Sequence, residues 1–313
     1  MIDRSHSQAI ATEVLAAYAA HAPLTPFSSR PGGLTLDQST RVLPMLRAAF
    51  EARGEKILGR KIGFTNRSIW AQYGVDAPIW GYVTSATTHD LATTLTSSFR
   101  GASETSEPGI QPRSLQAQLD SGSGLAGRPG MTDRKISTLP AREFCEPRIE
   151  PEIMFGLKAS PSPAMDQDAL VACIDWLALG YEVVQSPFPD WKFKPADTIA
   201  VNALHGALLI GERHAFAPRA DAWRRELASF TAQLYCNDRL IDSGGGAAVL
   251  DSPLHALRHL VDMLAHDRHN PPLAAGEIVS TGTLTKAFPV KSGEIWHTSV
   301  AGIPLASVSL RFV

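Results

Sequence analysis

The segment RIEPEI at 148–153 places two glutamates in an apolar run. Residues i and i+2 of a strand point to the same face, so Glu150 and Glu152 should project side by side, ~6.5–7 Å apart at Cα. Two such carboxylates repel each other unless a cation or a proton intervenes. A site for an oxygen-preferring cation such as Mg²⁺ or Mn²⁺ is one interpretation, and a solvated glutamate face on an edge strand is the other.

A third glutamate, Glu182, lies in the strand-like run LGYEVVQ. An unpaired charge inside an apolar strand is costly, so this side chain should be paired or bound to a cation. The segment PDWKFKPADT follows it, and it is either a solvated loop or the rim of a cation site. Its charged residues are Asp190, Lys192, Lys194 and Asp197.

Lys61 lies between Gly59 and Gly63 in the segment GRKIGF. An exposed strand lysine is the simpler interpretation. The functional interpretation is a lysine close to substrate, because glycines let backbone segments approach closely. Beside a bound cation the amine of this lysine would be pushed toward its neutral form and could transfer protons.

Other patterns do not favour a different chemistry. His255 and His259 have helical spacing, but the glutamate of an HExxH zinc motif is missing. The GGG run at 244–246 lacks the lysine of a phosphate-binding loop, and the chain has neither a GxSxG motif nor a strand–GxGxxG–helix unit.

Composition limits the class of protein. The chain has 313 residues, 44% of them hydrophobic and 19% charged, which is enough for a large core in one domain or two. A net charge of −2 gives no basic excess for a nucleic-acid partner. Three scattered cysteines fit a reducing cytoplasm, and we expect neither a signal peptide nor a membrane span.

Elements that could position these residues follow from periodicity. Residues 1–55 predict a helical N-terminal region, with one helix at 7–22 and another from Leu36 to Arg53. Thr35 is the predicted N-cap of the second helix, and Gly54 its stop.

Residues 56–313 predict an α+β or mainly β body, because many short strands are separated by glycine turns and few helices. A helix is expected at 252–266, with Ser252 as its cap and Pro253 at its first position. The Gly-, Ser- and Pro-rich segment 99–138 is a predicted surface insertion, partly mobile.

Four segments resemble one known family, the 2-hydroxypenta-2,4-dienoate hydratases, also called 2-keto-4-pentenoate hydratases, of the fumarylacetoacetate hydrolase superfamily. The similarity runs in order over residues 56–313, apart from the insertion. The segments are GRKIGFTNRSIWAQYGVDAPIWGYV, EPRIEPEIMFGL, GYEVVQSPFPDWKFKPADTIAVNA and LDSPLHALRHLVDMLAHDRHNPPLAAGEIVSTGTLT.

This resemblance implies an α+β, fumarylacetoacetate-hydrolase-like mixed β-sheet body and Mg²⁺ or Mn²⁺ held by Glu150, Glu152 and Glu182. It implies a hydratase that adds water to a 2-hydroxydienoate or unsaturated 2-oxo acid in the catabolism of aromatic compounds. We expect a cytoplasmic homo-oligomer.

The resemblance also implies site residues. Lys61 and Asp76, the aspartate of the GVDxP motif, are the predicted proton-transfer groups. Thr281 and Gly282 are expected to touch the substrate carboxylate, and Lys192 to belong to the substrate-binding set.

The chain departs from the family pattern around its substrate pocket. The family motif ADNAS is AVNALHG here, so that Val201 and Leu204 replace Asp and Ser, and we place Leu204 in the substrate-binding set. His205 adds a titratable group that could serve as a base or an anchor. Pro187 and Ala247 replace an Arg and a Ser. We therefore expect a preferred substrate other than the simple pentadienoate.

Other reactions remain open. A 2-oxo acid that chelates the ion gains stabilisation of its enolate charge, and this also supports vinylogous decarboxylation and other C–C lyase, isomerase or hydrolase reactions. A binding protein on a retired enzyme fold is the non-enzyme alternative, since fold does not fix function.

Overall fold

A computed structural model describes residues 4–91 and 136–313 of the chain. The helices in these ranges are α1 (Arg4–Ala20), α2 (Leu36–Thr40), α3 (Leu43–Ala52), α4 (Trp70–Tyr73), α5 (Gln167–Ala172), α6 (Pro195–Ala200), α7 (Ala220–Ser229) and α8 (Pro253–His266). The strands are β1 (Ile57–Gly63), β2 (Ile79–Thr84), β3 (Thr88–Asp90), β4 (Ser137–Leu139), β5 (Arg148–Leu157), β6 (Ile174–Val184), β7 (His205–Ile210), β8 (His214–Ala215), β9 (Thr231–Cys236), β10 (Arg239–Gly245), β11 (Ile278–Thr283), β12 (Phe288–Pro289), β13 (Ile295–Ala301) and β14 (Val308–Phe312). The predicted α+β class is confirmed.

The larger sheet has the strand order β2-β1-β11-β5-β6-β7-β3, with β12 paired to β5 and β8 paired to β6. Within it β1 runs parallel to β11, whereas β5 and β6 form a long antiparallel pair. The sheet rolls up enough for β2 to contact β7. The amide side chain of Asn202 bonds to both the N–H and the carbonyl of Tyr82, which joins β2 to the turn before β7. The smaller sheet has the order β10-β9-β13-β14-β4.

Strand β5 separates two environments because its side chains alternate between the faces of the sheet. Ile149, Ile153 and Phe155 join the main hydrophobic core, whereas Met154 belongs to a small apolar cluster on the other face. The glutamates share the parity of Met154 and therefore project onto that second face. The main core also includes residues of α1 and α3, so the N-terminal helices pack on the same core as the sheets.

The predicted helix Leu36–Arg53 is divided into α2 and α3. Thr35 caps α2 as predicted: its Oγ1 accepts the Gln38 N–H at 3.3 Å, and Gln38 Oε1 accepts the Thr35 N–H at 2.9 Å. Pro44 lacks the N–H that a continuous helix would donate to the carbonyl of Thr40. The prediction of a single helix is wrong for this reason.

Two other predictions concern the body. Helix α8 begins at Pro253, and Ser252 Oγ accepts the Leu254 N–H at 3.3 Å, as expected. The predicted insertion at 99–138 lies outside the described residues except at its end, where Ser137–Leu139 forms β4 and pairs in parallel with β14. That end belongs to the smaller sheet, so residues 137 and 138 are corrected from insertion to part of an edge strand. No helix in the described ranges has the length and apolar character needed to cross a membrane.

Candidate metal centre and active site

Three carboxylates meet where β5 and β6 pair. In this antiparallel ladder Glu150 lies opposite Glu182, and Glu152 lies opposite Gly180. One oxygen of each glutamate lies within 4.8 Å of those of the other two. Glu152 and Glu182 are fully buried, whereas Glu150 lines a cavity. The structure thus brings together the three side chains that the sequence suggests as metal ligands.

Glu152 is held through one of its two oxygens. Its Oε2 accepts hydrogen bonds from the Ser280 hydroxyl at 2.5 Å and from the Gly282 N–H at 2.9 Å. Its Oε1 is buried and has no hydrogen-bond partner among the described residues. A buried carboxylate oxygen without a donor is costly, and a bound cation would remove that cost.

Glu182 has a similar arrangement. Its Oε1 lies 2.8 Å from Nδ1 of His205, and Nε2 of that ring lies 2.9 Å from Oγ1 of Thr87. The ammonium of Lys61 is 3.1 Å from Oε2, close enough for an ion pair but without the alignment of a hydrogen bond. Both buried glutamates therefore keep one oxygen available, and an all-carboxylate set of this kind fits a hard divalent cation.

Lys61 reaches this centre from β1. A Cβ on Gly59 would lie 1.9 Å from the carbonyl oxygen of Ile278, so glycine is needed where β1 pairs with β11. The Lys61 side chain is buried and its Nζ donates to the Ala203 carbonyl at 3.0 Å. Because it also lines the cavity beside Glu150, it is placed to exchange a proton with a bound molecule.

The carboxylates and the lysine determine each other's charge. Burial raises the pKa of Glu150 to about 7 and raises the pKa of Glu152 well above its ordinary value, and the negative charge of Glu182 adds to both effects. Burial also opposes the charge of Glu182, but the ammonium of Lys61 and the hydrogen bond to His205 bring its pKa below the ordinary value. Burial lowers the pKa of Lys61 as well, yet the three carboxylates raise it overall. Without a cation, therefore, Lys61 stays protonated, and the neutral amine predicted from the sequence would need a bound cation.

A cavity of about 150 Å³ opens onto Glu150 and Lys61. Asn66, Gln72, Arg148 and Lys286 add amide and cationic groups to its wall. Most of the remaining wall consists of hydroxyl, apolar and aromatic side chains, which suits the short carbon chain of a small organic acid. These are Thr65, Thr283 and Thr285; Ile69, Ile79, Val184 and Leu204; and Phe64, Tyr73, Trp191 and Phe193.

The altered segment after α6 enters the cavity at two residues, Ala203 and Leu204. Leu204 lies in the wall, where the sequence suggested a substrate contact, and has a left-handed backbone with φ of 63°. Val201 is fully buried, and its carbonyl accepts a hydrogen bond from Tyr18. His205 is buried behind Glu182 and is not part of the cavity wall. Both ring nitrogens are bonded within the protein, which favours a positioning role, and the direct catalytic role of His205 stays a prediction.

Asp76 and Lys192 lie away from the cavity. Asp76 is exposed in a separate depression that also contains Arg67 and Asp251. The ammonium of Lys192 pairs with Asp190 at 2.9 Å, and its side chain is 80% exposed. Neither position supports the predicted proton transfer by Asp76 or substrate contact by Lys192.

Thr281 and Gly282 support the centre instead of lining it. The Thr281 hydroxyl donates to the Ile153 carbonyl at 2.8 Å, and the Gly282 N–H is bonded to Glu152. Gly282 has a φ of 105°, and a Cβ there would lie 1.8 Å from Oγ1 of Thr65. The two residues fasten β11 to β5 and orient Glu152, and their expected contact with a substrate carboxylate stays a prediction.

Several cavity residues were not singled out from the sequence. Trp191 and Phe193, the neighbours of Lys192, line the wall, whereas the Lys192 side chain is exposed to solvent. Thr65 closes the GRKIGFT segment, and its hydroxyl is buried without a hydrogen-bond partner in the described part of the chain. Arg148 lies two residues before Glu150 in β5, and this i, i+2 spacing was the available signal.

Comparison with known proteins finds no matching family model. The chain is 26% identical over 287 residues to the 2-hydroxyhexa-2,4-dienoate hydratase of Comamonas testosteroni, which covers 91% of this chain and 90% of that protein. It is 28% identical over 306 residues to 2-keto-4-pentenoate hydratase 2 of Dechloromonas aromatica, with 97% of each covered. It is also 27% identical over 269 residues to the 4-oxalocrotonate decarboxylase of Pseudomonas sp. strain CF600, covering 86% of this chain and 82% of that enzyme.

Solved structures share the fold. The 4-oxalocrotonate decarboxylase of Pseudomonas putida G7, complexed with magnesium and adipate, covers 100% of this chain and 99% of its own, with a TM-score of 0.78 and 23% identity. Two more distant structures cover 81% and 82% of this chain. They are the fumarylpyruvate hydrolase of Pseudomonas aeruginosa with Mn²⁺ and pyruvate (88% of its own chain, TM-score 0.50, 12% identity) and a putative fumarylacetoacetate isomerase/hydrolase of Oleispira antarctica (94%, TM-score 0.51, 13% identity). The chain is thus similar over most of its length to the 2-keto-4-pentenoate hydratases, and its fold is that of the fumarylacetoacetate hydrolase superfamily.

Proposed function

We propose that this chain is a divalent-metal-dependent hydratase, a lyase that adds water to a 2-hydroxydienoate or the corresponding unsaturated 2-oxo acid. The observation that carries the proposal is the buried carboxylate triad beside Lys61, at one side of an otherwise largely apolar cavity. Relatives that are named as hydratases of such compounds are similar to this chain over nearly its whole length.

Glu150, Glu152 and Glu182 would hold Mg²⁺ or Mn²⁺, because their donors are all carboxylate oxygens and two of these lack protein partners. Solved structures of the same fold contain magnesium, calcium or manganese. When bound, the ion supplies Lewis-acid stabilisation of the enolate charge on a 2-oxo acid.

The chain's own residues would handle water and protons. Lys61 is fixed by the Ala203 carbonyl and lies in the cavity wall beside Glu150, so its amine is the proposed proton-transfer group. The unpartnered hydroxyl of Thr65 is available to bind the water or a substrate oxygen. Leu204 contributes an apolar surface that excludes bulk water from the reacting chain.

The proposal is tested by following the loss of dienol absorbance for a panel of 2-hydroxydienoates, with Mg²⁺, with Mn²⁺ and with chelator. A 4-hydroxy-2-oxo acid identified by mass spectrometry would support hydration. Release of CO₂ would instead indicate a decarboxylase, the alternative that is favoured by similarity to the 4-oxalocrotonate decarboxylases. Ligand-induced stabilisation without any product would indicate a binding protein, and full turnover in excess chelator would contradict metal dependence.

The homo-oligomeric state and the cytoplasmic location remain predictions. Size-exclusion chromatography with light scattering checks the first, and fractionation of the producing cells checks the second.

A further inference from the structure

We infer that Tyr18, on the N-terminal helix α1, is a positioning residue for Lys61, although its own side chain does not line the cavity. This inference rests on the proposed function of the same site. The Tyr18 hydroxyl donates a hydrogen bond to the Val201 carbonyl at 3.0 Å. Val201 leads into a turn, Asn202–Leu204, whose central carbonyl accepts a hydrogen bond from the amine of Lys61. Tyr18 thus reaches the proposed proton-transfer group through the backbone of this turn.

The turn has a backbone conformation that its side chains disfavour. Asn202, Ala203 and Leu204 have φ of 60°, 53° and 63°. This left-handed region crowds the Cβ of every residue except glycine, and here three such residues adopt it in succession. A conformation of this kind persists only where the surrounding structure holds it, and it is typical of functional sites. The contacts of the turn therefore decide where the groups that it carries lie.

Two of these contacts come from the larger sheet. The Asn202 amide bonds to the backbone of Tyr82, and the Asn202 carbonyl lies so close to β2 that a Cβ at Gly81 would be 2.4 Å from it. At the other end of the turn, the Leu204 carbonyl accepts the Gln185 N–H at 2.8 Å. The sheet therefore holds the middle and the end of the turn.

Tyr18 holds the start of the turn from the N-terminal region. Its hydrogen bond fixes the direction of the buried Val201 carbonyl, and with it the peptide plane that opens the turn. The N-terminal region is fastened to the same segment at a second place. Ser28 donates to the buried Asp197 carboxylate through its N–H at 2.8 Å and through its hydroxyl at 2.6 Å. These bonds keep α1 in register with the turn, so that the Tyr18 hydroxyl has a defined place.

The turn in turn determines where the amine of Lys61 lies. Nζ donates to the Ala203 carbonyl at 3.0 Å, whereas the Glu182 oxygen at 3.1 Å lacks the alignment of a hydrogen bond. An ammonium group has three N–H donors, so donors remain for a molecule in the cavity that Lys61 lines. A shift of the Ala203 carbonyl would move the amine away from that molecule. Small misplacements of a reacting group lower the rate strongly.

Tyr18→Phe tests the inference because it removes only the hydroxyl. We expect kcat to fall by about 2- to 10-fold, the effect of losing one hydrogen bond, while KM and Mn²⁺ affinity change by less than about twofold. Tyr235→Phe is the matched control, since it removes a hydroxyl that is bonded to Gln233 at 2.9 Å in the smaller sheet, and it should leave kcat unchanged. In a Lys61→Met background, Tyr18→Phe should not lower the residual kcat further, because the group that Tyr18 positions is gone.

Amide hydrogen exchange separates this inference from the proposed function. In Tyr18→Phe, exchange followed by mass spectrometry should be faster in peptides covering residues 199–206 and unchanged in those covering 231–236. If no dienoate is turned over, the proposed function fails while exchange still tests the hold of Tyr18 on the turn. Unchanged exchange at 199–206, or unchanged kcat in an active enzyme, would overturn the inference. So would an equal loss of kcat with and without Lys61, because Tyr18 would then support only the overall structure.

Discussion

Glu150 and Glu182 face each other directly across the β5–β6 ladder. Residues opposed in this way have Cβ atoms ~4.5–5.5 Å apart, and like charges in such pairs destabilise a sheet. Glu152 and Lys61 lie beside this pair, so the site contains three carboxyl groups and only one ammonium group. The sheet thus tolerates a local repulsion that a divalent cation would convert into a stabilising contact.

Removing any one glutamate should disable the centre. Loss of a residue that only supports a metal ligand typically costs ~10–100-fold, and loss of a ligand itself should cost more. We therefore expect Glu150→Gln, Glu152→Gln and Glu182→Gln each to lower Mn²⁺ affinity and activity by about 100-fold or more. Titration calorimetry with Mn²⁺ and turnover assays check this. Glu212→Gln, an exposed glutamate, is the control. Full activity of the Glu152→Gln enzyme in excess chelator would contradict the metal centre.

The stability of the metal-free protein should depend on pH through Glu150. Its folded-state pKa of about 7 lies above its ordinary value of 4.5. Between these values the folded state binds more protons than the unfolded state, so the free energy of unfolding should fall as pH rises through this window. A divalent cation competes with those protons and should raise Tm more at about pH 8 than at about pH 5.5. Thermal unfolding with and without Mg²⁺ across this pH window measures both effects. Glu150→Gln should flatten the pH dependence of the metal-free protein. A metal-free protein that becomes more stable as pH rises through the window would contradict the prediction.

Lys61→Met should act on the chemical step. We expect kcat to fall by ~10²–10⁴-fold, as is typical when a general acid or base is removed. Metal affinity should change much less, since Lys61 is not a metal ligand. Lys56→Met, which alters an exposed lysine just before β1, is the matched control. A loss of less than about tenfold at saturating substrate would show that Lys61 is structural or only binds substrate.

His205 should act through Glu182. His205→Gln is expected to weaken metal binding by ~10–100-fold, the range typical of groups that orient a ligand. At saturating metal kcat should fall much less. Thr87→Val, which removes the hydrogen bond to the other ring nitrogen together with longer contacts to Thr84, should have a smaller effect of the same kind. Unchanged metal affinity together with a large loss of kcat would mean that His205 acts on the substrate after all.

Gly282 should be irreplaceable, whereas Gly276 should tolerate a side chain. Both have positive φ, but a Cβ at Gly276 meets nothing within 4 Å, whereas one at Gly282 overlaps Thr65. Gly276→Ala should cost ~1–2 kcal/mol through backbone strain alone. Gly282→Ala should cost about 2 kcal/mol more and weaken metal binding, because its N–H orients Glu152. Chemical denaturation and Mn²⁺ titration compare the two variants, and equal costs would show that the close contact with Thr65 is easily relieved.

Local features of this chain could be predicted from neighbouring residues. The alternation in RIEPEI determined that Glu150 and Glu152 share a face of the strand. The position of Glu182 inside an apolar strand indicated that its carboxylate must be paired or bound to a cation. Thr35 and Ser252 capped their helices as expected, because a cap depends on hydrogen bonds within one turn. The family resemblance supplied the expected fold and the expectation that Glu150, Glu152 and Glu182 bind one metal ion together.

Only the tertiary structure decided how distant segments meet. The register that sets Glu182 opposite Glu150, the parallel pairing that brings Lys61 to Glu182, and the turn that buries His205 behind it all depend on contacts between segments far apart in sequence. The same contacts leave Asp76 at the surface and direct Arg148 into the cavity. Sequence periodicity determines which face of a strand a side chain occupies, whereas the packing of the rolled sheet determines what lies across from it.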